Sequence, residues 1–240
     1  MSLIQSTAIP SGASAYELDQ SLRFNDNDSA YLSKTFASAG NRKIWSYSFW
    51  VKRTELGTGT ANRQIFLEGY TSSTSWFVMI LNDDALQIYD AQTSQPDYGM
   101  KTARVFRDTS AWYHVLLAVD TTQSTDTNRV KLYINGINEP LTDQYGLFPL
   151  NYQSNVNSAV LHNIGKYTDI STTSDYYLSE VNFIDGAAKA PADFGETGDY
   201  GDWKPKKYLG SYGTNGFYLN FTGGGIMSAT GGNSTATDGD

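Results

Sequence analysis

The sequence predicts an all-β fold, a two-sheet antiparallel β-sandwich of the jelly-roll kind. Three observations carry this. Apolar and polar residues alternate with a period of two along most of the chain, clusters of Gly, Asn, Asp, Ser and Thr separate the alternating runs, and no window sustains a period of 3.6. The 240 residues include 14% aromatics, 18% charged residues and no cysteine. A chain of that length buries roughly 70–75% of its unfolded surface, so its core needs no covalent staples.

The strands are justified in order. Residues 21–24 form a short first strand. Residues 44–53 place Trp45, Tyr47, Phe49 and Val51 on one face and Ser46, Ser48 and Lys52 on the other, the pattern of a half-buried strand. Residues 64–68, 76–81 and 85–89 follow; the second of these is apolar on both faces, which predicts a central place in a covered sheet. Residues 113–120 set Tyr113, Val115, Leu117 and Val119 against His114, Leu116, Ala118 and Asp120. Residues 129–134 send Val130, Leu132 and Ile134 inward, and Asn135-Gly136 comes next, the dipeptide of a type I′ hairpin whose central residues take positive φ. Residues 160–164, 176–184 and 216–221 complete the set. Residues 55–62, 71–75, 121–128 and 171–175 have loop composition. One or two helical turns are expected at residues 191–195, where Pro191 suits the first helical position. The chain divides into an N-terminal arm (1–20), the sandwich (21–221) and a Gly/Ser/Thr-rich tail (222–240) read as flexible.

Composition removes several functions. With 17 Lys+Arg against 25 Asp+Glu the net charge is −8, which argues against binding nucleic acid or anionic membranes. Lys204-Pro205-Lys206-Lys207 is one short cationic patch and reads as a solvated turn. The longest apolar run, residues 76–81, is far too short to insert across a bilayer. The start, Met1-Ser2-Leu3-Ile4-Gln5-Ser6, lacks the basic and apolar regions of a signal peptide. The absence of cysteine excludes thiolate metal sites, a thiol nucleophile and disulfides.

Catalysis finds little support. Only His114 and His162 are present, both inside strand patterns, so a Ser-His-acid triad is not expected. Retaining glycosidases need two carboxylates about 5–5.5 Å apart. The nearest pair, Glu180 and Asp185, has an odd offset that puts the two on opposite faces of a regular strand, so Glu180 is read as structural or outward-facing. Sugar binding asks for less: an aromatic platform with amide or carboxylate partners for hydroxyls. Tyr70, Trp76, Tyr98, Tyr145, Tyr152 and Tyr167 are platform candidates, and the expected glycan-binding set is Trp76, Tyr98, Tyr167 and Asp169. No catalytic or metal-ligating residue is assigned.

The order of motifs is informative. Ser21-Leu22-Arg23-Phe24, Tyr31-Leu32, Tyr47-Ser48-Phe49-Trp50-Val51-Lys52, Trp112-Tyr113-His114-Val115, Val119-Asp120, Val130 to Gly136, Asn163-Ile164-Gly165-Lys166 and Tyr177 to Asp185 follow one another. This series resembles concanavalin A-like domains of the laminin-G and pentraxin type, over about residues 20–195. The resemblance implies a lectin/glucanase jelly roll with a structural role for His114. Such domains often hold calcium at the rim, before the strand matching residues 76–81 and after the one matching 160–164. Here Ser73-Thr74-Ser75 and Lys166-Tyr167-Thr168-Asp169 supply one carboxylate, so the calcium site is expected to be lost and no cofactor is expected. Asp26/Asp28 and Asp120/Asp126/Asn128 read as local Asx-turns.

A narrower resemblance covers residues 178–196, Trp203-Lys204-Pro205 and residues 212–219, which are similar to segments of bacteriophage virion proteins. It implies a non-enzymatic structural and interaction protein on a virion surface, as a capsid decoration, spike or tail fibre. That protein would be made in the host cytoplasm, would form a homo-oligomer among other virion proteins, and would grip host-surface polysaccharide by multivalent display. The alternative is a free-standing carbohydrate-binding lectin module.

Overall fold

The structure, a computed structural model, describes residues 16–57, 59, 63–221 and 235–237. Most of the expected arm and tail lies outside these residues. Two antiparallel sheets face each other, as the alternation predicts. The first runs β1 (Leu22–Phe24), β15 (Tyr176–Asp185), β3 (Ile44–Arg53), β8 (Trp112–Asp120), β9 (Val130–Ile134) and β10 (Ile137–Glu139), with β18 (Phe217–Leu219) also paired to β15. The second runs β11 (Leu141–Gly146), β7 (Tyr98–Val105), β6 (Ala85–Ala91), β5 (Ser75–Asn82), β4 (Gln64–Ser72), β12 (Leu161–Ile164), β2 (Tyr31–Thr35) and β19 (Thr235–Thr237). Two small ribbons lie outside the sheets, β13 (Lys166–Tyr167) with β14 (Thr172–Thr173) and β16 (Gly195–Thr197) with β17 (Trp203–Pro205).

Side-chain alternation explains the core. Trp45, Tyr47, Phe49 and Val51 of β3 meet Phe66, Phe77, Met79 and Ile88 of the second sheet in one buried cluster. Trp45 and Phe77 cross edge-on at 5.7 Å. Two buried phenols also tie the sheets: Tyr47 donates to the Phe66 carbonyl at 2.9 Å and Tyr176 to the Ile65 carbonyl at 2.6 Å. Such bonds satisfy the one polar atom that each ring brings into the core.

The hairpin after β9 has Asn135 at φ 49° and Gly136 at φ 79°, as a type I′ turn requires. The helical expectation is met by a single 3-10 turn, Pro191–Asp193. The regular strand assumed for Glu180 and Asp185 is not what forms. The β15–β3 register breaks between Ser179 and Asn182, and Glu180 takes φ 52°, so a β-bulge resets the alternation. Nor is Glu180 outward-facing: it is buried, and accepts hydrogen bonds from Tyr16 at 2.6 Å and Tyr218 at 2.7 Å. Two sheet strands that the alternation does not flag, β7 and β11, build the edge that matters most for the candidate site.

Candidate functional site

The second sheet carries a groove of about 370 Å³ on its outer face. The alternation that sends Phe77, Met79 and Leu81 into the core turns Trp76, Val78 and Ile80 of β5 outward as its floor. Gln87 and Tyr89 of β6 continue the floor, and Tyr98 of β7 and Tyr145 of β11 flank it. Across β5, Tyr167 of β13 leans over the sheet and meets Trp76 edge-on at 5.6 Å. Tyr89 and Tyr145 sit 5.7 Å apart. They cross above Gly99 of β7, where an added Cβ would stand 2.5 Å from the ring of Tyr89. Glycine therefore makes the room in which the two rings lie.

Polar groups punctuate this aromatic surface. The Tyr89 hydroxyl lies 2.6 Å from Oε1 of Gln87 and 2.7 Å from Oε1 of Gln144. Arg63 donates through Nε to Asn82 Oδ1 at 3.0 Å, and Asp97 also lines the groove. Burial raises the phenols of Tyr167 and Tyr89 above their ordinary range, the Glu68 charge adding to the first and Tyr145 to the second. Both remain neutral donors and acceptors of hydroxyl hydrogen bonds.

The Tyr167 wall is held from below. Buried Glu68 of β4 accepts from Asn163 Nδ2 at 2.7 Å, Thr168 N at 2.8 Å and Thr168 Oγ1 at 2.7 Å. These bonds fix the turn that presents Tyr167.

Of the four expected site residues, Trp76, Tyr98 and Tyr167 line the groove together. Asp169 does not: it sits exposed in the turn after β13 and is not part of the lining. Trp76, Tyr98, Tyr145 and Tyr167 all belong to strands. Among the wider platform candidates Tyr145 joins the groove, Tyr70 pairs with Trp76 along β4 without lining it, and Tyr152 is buried in the core. The central position of β5 is as expected, and its outer face is covered too: Val78 and Ile80 are buried with Ile65 and Tyr167 in a small cluster against which Trp76 and Tyr89 pack. Tyr89, Gln87 and Arg63 were not legible as site residues. Only the order β11-β7-β6-β5 brings Tyr89 and Tyr145 together.

Several ionisable groups elsewhere have structural partners. His162 donates through Nδ1 to the Val160 carbonyl at 2.9 Å and accepts at Nε2 from the Asn157 N–H at 3.1 Å. Asp185 accepts from the backbone N–H groups of Asn41 and Asn215 and from Asn157 Nδ2. Asp90 borders the groove, but its carboxylate is fully buried and accepts from Ser154 Oγ at 2.5 Å and Asn155 Nδ2 at 2.8 Å. Burial pushes its carboxyl up to about 7, against the pull of those bonds. Among the described residues no three His, Cys, Asp or Glu side chains come together as a metal cluster, and no helix is long and apolar enough to cross a membrane.

A family model of the concanavalin A-like lectin/glucanases superfamily matches residues 24–192. The chain belongs to this family. No curated protein sequence matches it. Among solved structures, domains LG4-5 of the mouse laminin α1 chain are similar at TM-score 0.50 and 9% identity, over 86% of this chain and 49% of that one. A native heptameric SAP-like pentraxin from Limulus polyphemus gives TM-score 0.45 and 14% identity, over 73% and 76%. Domain 4 of an extracellular arabinanase from Geobacillus stearothermophilus, in complex with arabinotriose, gives 0.43 and 19%, over 64% and 65%. The chain thus spans about half of the laminin segment.

Proposed function

We propose that the chain is a non-enzymatic carbohydrate-binding domain and that the groove over β5 and β6 holds the glycan. The observation that carries this is the aromatic floor and walls formed by Trp76, Tyr89, Tyr98, Tyr145 and Tyr167 around a cleft punctuated by Arg63, Asn82, Gln87 and Asp97. Apolar faces of sugar rings pack on aromatic rings, and neutral phenols, amides and a guanidinium serve the hydroxyls. The volume is that of a small-ligand cleft. Membership of a lectin/glucanase family supports the same reading. The lectin branch is favoured over the glucanase branch because the other carboxylate bordering the groove, Asp90, is fully buried and has both oxygens engaged by Ser154 and Asn155, so Asp97 has no free partner for a carboxylate pair.

The setting we propose is a bacteriophage virion surface, where many copies multiply a weak single-site affinity. Its support is the sequence resemblance of residues 178–196 and 212–219 and a surface poor in charge. The groove is tested by titrating the protein with a panel of neutral and acidic oligosaccharides. Binding that falls at least tenfold in Trp76→Ala, with the melting temperature preserved, is the expected result; a panel that binds nothing, or binds Trp76→Ala as well as the parent, sinks the reading. Light scattering tests the setting: a defined oligomer supports it, and a monomer at all concentrations leaves the free-standing lectin module.

A further inference from the structure

The face of the sandwich turned away from the groove holds a second cavity, of about 630 Å³. It sits on the first sheet, whose strand β3 sends Phe49 and Val51 inward and leaves Trp50 on the outside. Trp112 of β8 and Trp203 of β17 complete an indole wall, and residues 16–21 close the other side. This segment is anchored: Ser179 Oγ donates to the Gln20 carbonyl at 2.6 Å and the Tyr16 hydroxyl to Glu180 at 2.6 Å.

Two of the three indoles are held by the fold. Trp203 donates to His114 and lies over Gly136 and Gly195, where an added Cβ would come within 2.4 and 2.5 Å of its ring. Trp50 packs on His114 at 5.2 Å, and its indole N–H has no partner among the described residues. Trp112 differs. It is 37% exposed and makes no ring contact or side-chain hydrogen bond among the described residues. A partly exposed indole with no ring contact or side-chain hydrogen bond, at a cavity wall, is available to a ligand.

We propose that this cavity is a second saccharide site, taking a neutral hexose or pentose unit against Trp112, and independent of the groove. The chemistry selects the class. Indole faces take the apolar face of a sugar ring, Glu17 and Asp19 accept from its hydroxyls, and Lys204 donates to them. An alkylammonium ion would suit the indoles and the carboxylates but would meet the like charge of Lys204, which is paired only at 3.8 Å with exposed Asp202. A wholly apolar ligand would strand the charged rim without water. The inference uses none of the groove residues, and with both sites filled one chain bridges two glycan strands.

The test uses the full chain titrated with cellohexaose, maltohexaose, mannohexaose and xylohexaose, and separately with choline, followed by tryptophan fluorescence and calorimetry. The proteins compared are the parent, Trp76→Ala, Trp112→Ala and Trp112→Phe. At least one hexaose is expected to bind Trp76→Ala with a change in fluorescence, to bind Trp112→Ala at the second site tenfold or more weaker, and to be largely restored by Trp112→Phe. The proposal is overturned if Trp76→Ala binds none of the four, if Trp112→Ala leaves that binding intact, or if choline alone responds to Trp112. Loss confined to Trp76→Ala means that the groove stands and this site falls; loss confined to Trp112→Ala means the reverse.

Discussion

The indole N–H of Trp203 donates to Nδ1 of His114 at 3.1 Å, and this bond ties the β16–β17 ribbon to the outer face of the first sheet. It also fixes the tautomer. With Nδ1 accepting, the ring proton sits on Nε2, which faces Ser48 Oγ at 2.9 Å. Trp203→Phe keeps an aromatic ring and leaves the buried Nδ1 without a donor. A loss of about 1–3 kcal/mol in urea unfolding is expected. An unchanged midpoint would mean that ring packing alone holds the ribbon.

Stability should depend on pH through both histidines. Burial lowers His114 to about 3 and His162 to about 4, from an ordinary value near 6.5. Between about pH 4 and 6.5 the unfolded chain therefore binds protons that the folded chain refuses, so this contribution is complete above about 6.5 and is lost as pH falls. Each histidine contributes a slope of about 1.4 kcal/mol per pH unit. Asp90 acts in the opposite sense, because its raised folded value favours the folded state as pH drops from about 7 toward 4. His162→Gln should flatten the acid limb by close to one proton, and Asp90→Asn should steepen it. Unfolding curves collected across that range check both; a slope unmoved by His162→Gln would show that His162 does not titrate on unfolding.

Gly99 is the cheapest place to close the groove without touching the core. Its Cβ would meet Tyr89 Cδ1 at 2.5 Å and Tyr145 Cδ2 at 2.9 Å, so Gly99→Ala must displace one ring. Saccharide binding is expected to fall severalfold while far-ultraviolet circular dichroism stays unchanged. Binding at parental strength would show that the crossed tyrosines are dispensable.

How far the sequence speaks is clearest from individual strands. β3, β8 and β9 announce themselves because each puts an unbroken apolar row on the core face, and Asn135-Gly136 marks its hairpin by chemistry alone. β7 does not, since of Tyr98 to Val105 only Tyr98 and Met100 bring large apolar groups to the core, with Thr102 between them and the sheet end. β11 is at the sheet edge and contributes little to the core, so selection for alternation there is weak. Trp76, Tyr98 and Tyr167 could be named as platforms from residue type. Their meeting in one groove depends on strand order, which no local pattern encodes. The bulge at Glu180 is likewise set by tertiary partners, Tyr16 and Tyr218, far away in sequence.

Calcium should leave the protein indifferent. At the rim where Ser73-Thr74-Ser75 replaces an expected ligand, the Thr71 and Ser75 hydroxyls donate to Asn155 Oδ1 at 3.2 and 3.1 Å. That oxygen is thereby spent on protein donors. The melting temperature is expected to be the same with millimolar calcium as with chelator, and a rise of several degrees would show a site that the residues as arranged do not suggest.

Glu68 offers a test of positioning as distinct from contact. It does not line the groove, yet it accepts three hydrogen bonds from Asn163 and Thr168 and so holds the turn bearing Tyr167. Burial raises its carboxyl, and those bonds oppose the shift. Glu68→Ala removes the anchor and should weaken saccharide binding by about as much as Tyr167→Ala, which removes the wall itself. If Glu68 acts through Tyr167, the double variant binds no worse than either single one, a coupling that a double-mutant cycle reads directly. If the two losses add, Glu68 affects the groove by some other route, and the wall does not depend on its anchor.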